Sequence, residues 1–171
     1  MTAIPKKDLV VISCLRQNAR ETLTKISRKT RLPISTIYDR LKLQEAELIV
    51  KHTSLLDFAK LGFNTRVSIA IKVPRELRLS LEDYLQKHTS VNSLYKINNG
   101  YDFMAEGIFR HLKEFQEFIE VLEDKFPGME KQMYYIVDDM KREEFLSNPD
   151  QVDAFLNVKS NIDSKRENVR K

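Results

Sequence analysis

The chain has 171 residues, of which 42% are hydrophobic and 32% charged, with a net charge of +4. This length fits one domain with a sizeable core or two small ones. No apolar run reaches about 18 residues and no hydrophobic signal region opens the chain, so we predict no membrane span, no secretory signal and a cytoplasmic location. The single cysteine, Cys14, excludes an internal disulfide and a thiolate-pair metal site, and it is predicted to be a small buried apolar residue.

The charge is divided unevenly along the chain. Residues 1–66 contain 13 Lys and Arg against 6 Asp and Glu, a balance of +7, whereas residues 67–171 contain 16 against 19, a balance of −3. Phosphates attract cations whatever the base sequence, and neutralising them releases counterions. The basic first part of the chain is therefore the expected location of a nucleic-acid-binding module.

Two short helices joined by a tight break are predicted in residues 23–42, LTKISRKTRLPISTIYDRLK. In the second helix, Ile34, Ile37 and Leu41 recur at the spacing that places them on one face. Pro33 suits the start of this helix, because its fixed φ is helical and its missing N–H would be unpaired there. The pattern indicates a helix-turn-helix, and spacing alone leaves open a pair of small amphipathic helices with a solvated polar face.

The polar face of the second helix is predicted to reach base edges and phosphates in a DNA groove. The cations that precede it are better placed to anchor the DNA backbone. Arg40 has a structural alternative, an ion pair with Glu21, Asp39 or Glu45 that would fix the helices. The predicted DNA-binding residues are Arg28, Lys29, Arg31, Ser35, Thr36, Tyr38, Asp39, Arg40, Lys42 and Lys51.

The segments that flank this pair complete a predicted winged helix-turn-helix over residues 1–53. A helix is expected from about Asp8 to Gln17, and Thr22 or Thr24 can cap the helix that follows. Alternation across residues 50–56 predicts a short strand or wing that brings Lys51 to backbone phosphates. Residues 54–64 contain little Pro or Ser, so they are predicted to form a structured connection.

Residues 65–142 alternate between strand and helix patterns. The predicted strands are residues 66–73, 91–97, 101–109 and 131–137, and the predicted helices are residues 77–85 and 111–126. The order β-α-β-β-α-β is that of a ferredoxin-like domain, with both helices on one face of an antiparallel sheet. The predicted fold class is thus α+β, an N-terminal winged helix-turn-helix joined to a C-terminal ferredoxin-like domain.

The predicted sheet has apolar residues on both of its faces. On the third strand, Phe103 and Ala105 have one parity and Met104 and Ile108 the other. A sheet with one face in water would normally show one polar parity. We therefore predict that the second face packs against another copy of the chain in a two-fold homodimer.

Several motifs in this order resemble the Lrp/AsnC (leucine-responsive, or feast/famine) transcription regulators, in particular archaeal members. They are STIYDRL in the second helix, KHTSLLDFAKLGF in the connection, NNGYDF at the second turn and FPGM after the long helix, and the resemblance covers about residues 6–142. The chain departs from the family at Glu47-Leu48, where a glycine is usual, and at Gly100, which many relatives place one residue earlier.

The resemblance implies a sequence-specific DNA-binding transcription regulator. It implies a dimer formed through the C-terminal sheet, assembly into tetramers or octamers, and a double-stranded, pseudo-palindromic operator. Because family members commonly bind an amino acid near this turn, it also implies an amino-acid effector site. The alternative is that the residues of this turn serve only to form the hairpin. The implied effector residues are Asn98, Asn99, Gly100, Tyr101 and Asp102.

Other classes of function are less well supported by the sequence. It contains no nucleophile–base set, phosphate loop or Cys pair, so we expect neither an enzyme nor a cofactor or metal site. His111 and Glu114 form an HxxE motif, but on a face rich in Glu and Lys, which is typical of an exposed helix. The alternative function is a non-sequence-specific architectural or chromatin DNA-binding protein.

A C-terminal extension, residues 143–171, follows the part that resembles the family. Val152, Phe155, Leu156 and Val158 form an apolar stripe that predicts a short helix. From Lys159 onward the residues are almost all polar or charged, so disorder is predicted there.

Overall fold

The computed structural model describes residues 4–154 and residue 156. These residues form two compact units. The first contains the described residues up to Ser54 together with those from Lys141 onward, and the second is Leu55–Met140. No helix among the described residues has the length and apolar character needed to cross a membrane.

The first unit is built on three helices. These are α1 (Lys6–Gln17), α2 (Leu23–Thr30) and α3 (Ile34–Glu47). Of the two predicted caps, Thr22 begins α2, because its Oγ1 accepts a hydrogen bond from the backbone N–H of Lys25 at 3.3 Å. This bond satisfies one of the backbone donors that every helix leaves free in its first turn.

A small core holds the three helices together. Val11 and Cys14 of α1 pack against Ile26 of α2 and Ile37 of α3, and all four are buried. The buried position predicted for the cysteine is confirmed, and burial raises the pKa of the Cys14 thiol. Apolar burial of this kind is what stabilises such short helices, because isolated helices of this length are marginal in water.

Two predictions for this unit are corrected by the structure. The strand predicted for residues 50–56 does not form, because the described part of this unit offers no second strand with which it could pair. The described residues of this unit accordingly form no wing, and Lys51 lies on an irregular segment. Ile34 was expected in the core but is 46% exposed, because it is the first residue of α3 and lies beyond the core around Ile37.

The second unit is an antiparallel sheet with two helices, and it confirms the predicted β-α-β-β-α-β order. Its elements are β1 (Thr65–Lys72), α4 (Arg78–Lys87), β2 (Val91–Lys96), β3 (Phe103–Phe109), α5 (Leu112–Lys125) and β4 (Glu130–Tyr135). The strand order across the sheet is β2-β3-β1-β4, and each pairing is antiparallel.

Alternation along the central strands separates the core from the open face of the sheet. Ile69 lies opposite Ala105 on β3 and Met133 on β4. Ile69 and Ala105 pack with Leu81 of α4 and Leu122 of α5 in one buried cluster. Both helices therefore cover the same face of the sheet, as the ferredoxin-like order predicts.

A glycine is required by a close approach within β3. A Cβ atom built on Gly107 would lie 2.5 Å from Cε2 of Phe109, whose ring is fully buried. The ring cannot move away without disturbing the core, so a larger residue is excluded at this position.

The HxxE motif caps α5. His111 Nδ1 accepts a hydrogen bond from the N–H of Glu114 at 3.2 Å, and Glu114 Oε2 accepts one from the N–H of Arg110 at 2.7 Å. This reciprocal arrangement resembles a capping box. In the part of the chain that the structure describes, no group of three or more His, Cys, Asp or Glu could hold a metal ion.

The segment from Lys141 onward contains a 3-10 turn, Pro149–Gln151, that leads into helical residues. Val152, part of the predicted apolar stripe, is buried, and Leu156 is half-buried. The remaining stripe residues, Phe155 and Val158, and the disorder predicted from Lys159 lie outside the described residues.

Candidate nucleic-acid interface

The connection between α2 and α3 is a tight turn with a left-handed residue. Arg31 ends α2 with φ 56° and ψ 29°, a conformation that non-glycine residues seldom adopt. Ser27 Oγ donates a hydrogen bond to the Leu32 carbonyl oxygen at 2.6 Å and closes the turn. Pro33 then lies immediately before the first residue of α3. A short turn therefore joins α2 to α3, as in a helix-turn-helix.

A buried polar cluster fixes α3 against α1. The carboxylate of Asp8 accepts hydrogen bonds from Arg40 Nη1 and, at 3.2 Å, from Gln44 Nε2. Asp8 and Gln44 are buried and Arg40 is half-buried. Arg40 is thus engaged in an ion pair, the alternative that the sequence left open, but its partner is Asp8 rather than Glu21, Asp39 or Glu45.

The opposite side of α3 exposes polar side chains. Ser35, Tyr38, Asp39 and Lys42 are exposed, and Thr36 is half-buried. The Tyr38 side chain is 54% exposed, which is high for an aromatic residue in a packed unit. Five of the predicted contact residues therefore lie on one helix without being enclosed by the core.

The cations before α3 differ in their surroundings. Lys29 Nζ lies 3.3 Å from Glu21 Oε2, and Lys25 Nζ lies 3.5 Å from the other oxygen of that carboxylate. Burial alone would raise the pKa of Glu21, but hydrogen bonds and charge from these two lysines lower it. Arg28 and Arg31 are exposed and, within the described part of the chain, form no ion pair. They are thus freer than Lys29 to meet an external anion.

The predicted effector residues lie at the turn between β2 and β3. Asn99 and Gly100 have positive φ, 68° and 94°, as the turn requires. Asp102 is fully engaged within its own unit: Oδ2 accepts the Val73 N–H at 3.0 Å, and Oδ1 lies 2.9 Å from Arg78 Nη2. Asp102 therefore has a structural role, but its partners lie after β1 and on α4 rather than within the hairpin itself.

The other two effector candidates have different surroundings. Tyr101 is half-buried, and its hydroxyl donates to Gln132 Oε1 on β4 at 3.3 Å. Asn98 is exposed at the end of β2. The turn thus presents exposed amides beside a tyrosine that is already hydrogen-bonded to the sheet.

The face of the sheet away from the helices combines an ionic cluster with exposed aromatic residues. Arg66 Nε donates to the Glu106 carboxylate, and Arg66 Nη1 lies 2.7 and 2.6 Å from the two oxygens of Asp139. Burial alone would raise the pKa of Glu106, but hydrogen bonds from Asn92 and Arg66 lower it. The exposed aromatic residues of this parity are Tyr95 and Tyr134.

Sequence reasoning missed the residues that hold α3 in place. Asp8 and Gln44 were not singled out, and they lie 36 residues apart in the chain. A pair so distant leaves no periodic signal in a single sequence. The one available hint is that an isolated acidic residue opens α1, a helix that is otherwise apolar and basic.

Comparison with known proteins identifies the relatives of the chain. It is 27% identical to the HTH-type transcriptional regulator FL11 of Pyrococcus horikoshii over 124 residues, which are 72% of this chain and 82% of the relative. It is 24% identical over 143 residues to an uncharacterized HTH-type transcriptional regulator of Pyrococcus furiosus, covering 83% of this chain and 96% of the relative. No family model matches the chain.

Solved structures share this fold over most of the chain. A transcriptional regulator of Neisseria meningitidis in complex with L-Met aligns with a TM-score of 0.75 at 19% identity, over 82% of this chain and 94% of that one. LrpC of Bacillus subtilis aligns with a TM-score of 0.74 at 18% identity, over 82% and 99%. AsnC of Escherichia coli aligns with a TM-score of 0.74 at 15% identity, over 85% and 99%.

Proposed function

Because this chain is a homologue of HTH-type transcriptional regulators and has the fold of the Lrp/AsnC regulators, we propose that it binds specific DNA sequences as a dimer or higher oligomer. The observation that carries the proposal is the two-sided character of α3. One side is fixed by Ile37 and by the Asp8 cluster, and the other exposes Ser35, Tyr38 and Lys42. A helix held in this way can enter a major groove without a large loss of conformational freedom.

The proposed contacts differ in what they recognise. Ser35 and Tyr38 are short or planar side chains on the exposed face of α3, suited to base edges or a thymine methyl group. Arg28, Arg31 and Lys42 are exposed and form no ion pair within the described residues, so their charges suit phosphates. Thr36, Asp39 and Lys51 complete the proposed surface, and Lys29 reaches a phosphate only by giving up its contact with Glu21. Arg40 is proposed to act indirectly, because its ion pair with Asp8 holds α3 in place.

The open face of the sheet is the proposed surface of self-association. Exposed tyrosines are common at protein interfaces, because they combine a large apolar area with a polar end. Tyr95 and Tyr134 flank the central ion pair of Arg66 and Glu106. A two-fold pairing of this face would present two copies of α3 to a pseudo-palindromic operator. Further pairing into tetramers or octamers belongs to the same proposal.

An amino acid is the proposed effector. The solved regulator of Neisseria meningitidis is a complex with L-Met, and this supports a ligand of that class. We place the proposed site at the turn of residues 98–102, where Asn98, Asn99 and Gly100 are exposed. Asp102 is proposed to hold the shape of the turn, because both of its oxygens have partners in its own unit.

Selection of binding sites from random DNA tests the proposed function. We expect a pseudo-palindromic motif to be enriched, and Tyr38→Ala to cost about 1–3 kcal/mol of discrimination at the contacted base pair. Arg28→Ala should weaken all duplexes about equally and reduce the salt slope by about 1. Lys113→Ala, which removes an exposed charge from α5 in the other unit, is the matched control and should change neither.

The same experiment also tests the alternative function and the proposed effector. Equal recovery of all sequences at fixed salt would support an architectural DNA-binding protein and contradict the proposal. Repeating the selected-site titration with each of the twenty amino acids should shift the affinity for at least one. Unchanged affinity with all of them would remove the effector from the proposal while leaving DNA recognition intact.

A further inference from the structure

We propose that residues 141–154, which we call the C-terminal brace, position α3 by holding α1 from its outer side. Residues that do not touch DNA would then set the affinity for DNA. This inference rests on the proposed function for its DNA readout, but its structural part can be measured without DNA.

The brace is attached near both ends of α1. Near the C-terminal end, Arg16 Nε donates to the Phe145 carbonyl oxygen at 2.6 Å, and Nη2 donates to the Glu143 carbonyl oxygen at 2.9 Å and to its carboxylate at 3.1 Å. At the N-terminal end, Lys6 Nζ lies 2.5 Å from Asp153 Oδ1. The brace therefore runs antiparallel to α1 along most of its length.

The C-terminal end of the brace is apolar and lies against α1. Val152 is 1% exposed, and the turn before it contacts α1. Leu9 and Ile12 are both buried but lie outside the core cluster formed by Val11 and Cys14. With 3.6 residues per turn, Leu9, Ile12 and Arg16 share one side of the helix, and Val11 and Cys14 lie on the other.

The brace is connected to the recognition surface through Asp8. This carboxylate belongs to α1 and accepts hydrogen bonds from Arg40 and Gln44 of α3. A hydrogen-bonded carboxylate that is buried tolerates little displacement, because each lost bond leaves a desolvated charge. If α1 loosens when the brace detaches, Asp8 moves and α3 loses its fixed orientation.

Two substitutions test the brace without altering the exposed face of α3. Val152→Ala shortens the buried side chain with no change of charge, and Arg16→Gln removes the attachment at the C-terminal end of α1. Gln17→Ala, an exposed neighbour on the same helix, is the matched control. Hydrogen exchange of α1 and α3 is measured without DNA, and affinity for the selected duplex is measured well below the melting temperature.

We expect faster exchange in both α1 and α3 for the two brace variants, and DNA affinity lowered about three- to thirty-fold. The salt slope should stay that of the wild type, which separates a positioning role from loss of a phosphate contact. Unchanged exchange in α1 and α3, or faster exchange with wild-type affinity, would overturn the inference. If the wild type selected no DNA motif, the proposed function would fail, and the exchange of α3 would still decide whether the brace holds it.

Discussion

The orientation of α3 depends on a single carboxylate that the fold removes from water. Asp8 is 3% exposed, and its oxygens are satisfied by Arg40 and Gln44. Removing one partner of a buried charge costs more than the bond contributes, because the remaining charge stays desolvated. Arg40 thus matters to the orientation of α3 even if it never meets DNA.

Replacing Arg40 by alanine should lower the free energy of unfolding of the first unit. We expect a loss of about 1–3 kcal/mol, less than for a fully buried pair, because Arg40 is partly exposed and Gln44 still bonds to Asp8. Urea denaturation followed by circular dichroism measures it. Asp39→Ala, the exposed neighbour, should change stability by less than about 0.5 kcal/mol. Equal free energies of unfolding for the two variants would show that the ion pair between Asp8 and Arg40 does not stabilise this unit.

Helical spacing predicted some roles of single residues and not others. Ser35, Tyr38 and Lys42 were placed outward by the period of α3, and they are exposed. The same reasoning placed Arg40 outward, but a long side chain reaches across the helix surface to a partner 32 residues away. The engagement of Lys29 by Glu21 likewise depends on how the chain folds back before α2.

Among helices, strands and turns, the local sequence pattern predicted the element correctly wherever the packing of the fold also favoured it. The alternation in β1 and the turn at residues 98–100 predicted element types and an order that the structure confirms. Residues 50–56 alternate in the same way, yet they form no strand, since a strand needs a neighbour to receive its hydrogen bonds. Which strands pair depends on the whole fold, so the sequence of one segment cannot predict whether it will find a partner strand.

The packing between α4 and α5 should make the stability of the second unit depend on pH. The ring of His88, just beyond α4, packs at a tilt against Phe118 and Tyr84, with ring centroids 4.7 and 5.5 Å apart. Burial lowers the pKa of His88 from its ordinary value of 6.5. The unfolded chain therefore binds more protons than the folded one as the pH falls through 6.5, so stability is lost on acidification.

Thermal melting between pH 7.5 and pH 5.5 measures this effect. The wild type should lose stability across the interval, and His88→Asn should flatten the curve while its side chain keeps an acceptor for the N–H of Ser90. Glu106 does not interfere, because its lowered pKa lies below 4.5 and its contribution is lost only in more acidic solution. An unchanged slope in His88→Asn would place the titrating group elsewhere.

At the scale of the whole molecule, the division of charge follows the division into units. The basic part of the sequence contains the three helices of the first unit, and the acidic part contains most of the sheet unit. The sequence could predict this organisation, because charge and periodicity are both summed along the chain. It could not predict that residues from Lys141 onward lie against α1, since an apolar stripe around Val152 does not specify its partner.

In the proposed function, paired copies of α3 read DNA through the side chains from Ser35 to Lys42. Hydroxyl-radical footprinting on the selected duplex measures where these copies protect the DNA. We expect two protected patches about 10 base pairs, or a multiple of that distance, apart, and we expect Tyr38→Ala to lose the register of both. A single patch, or uniform protection that Tyr38→Ala leaves unchanged, would contradict it.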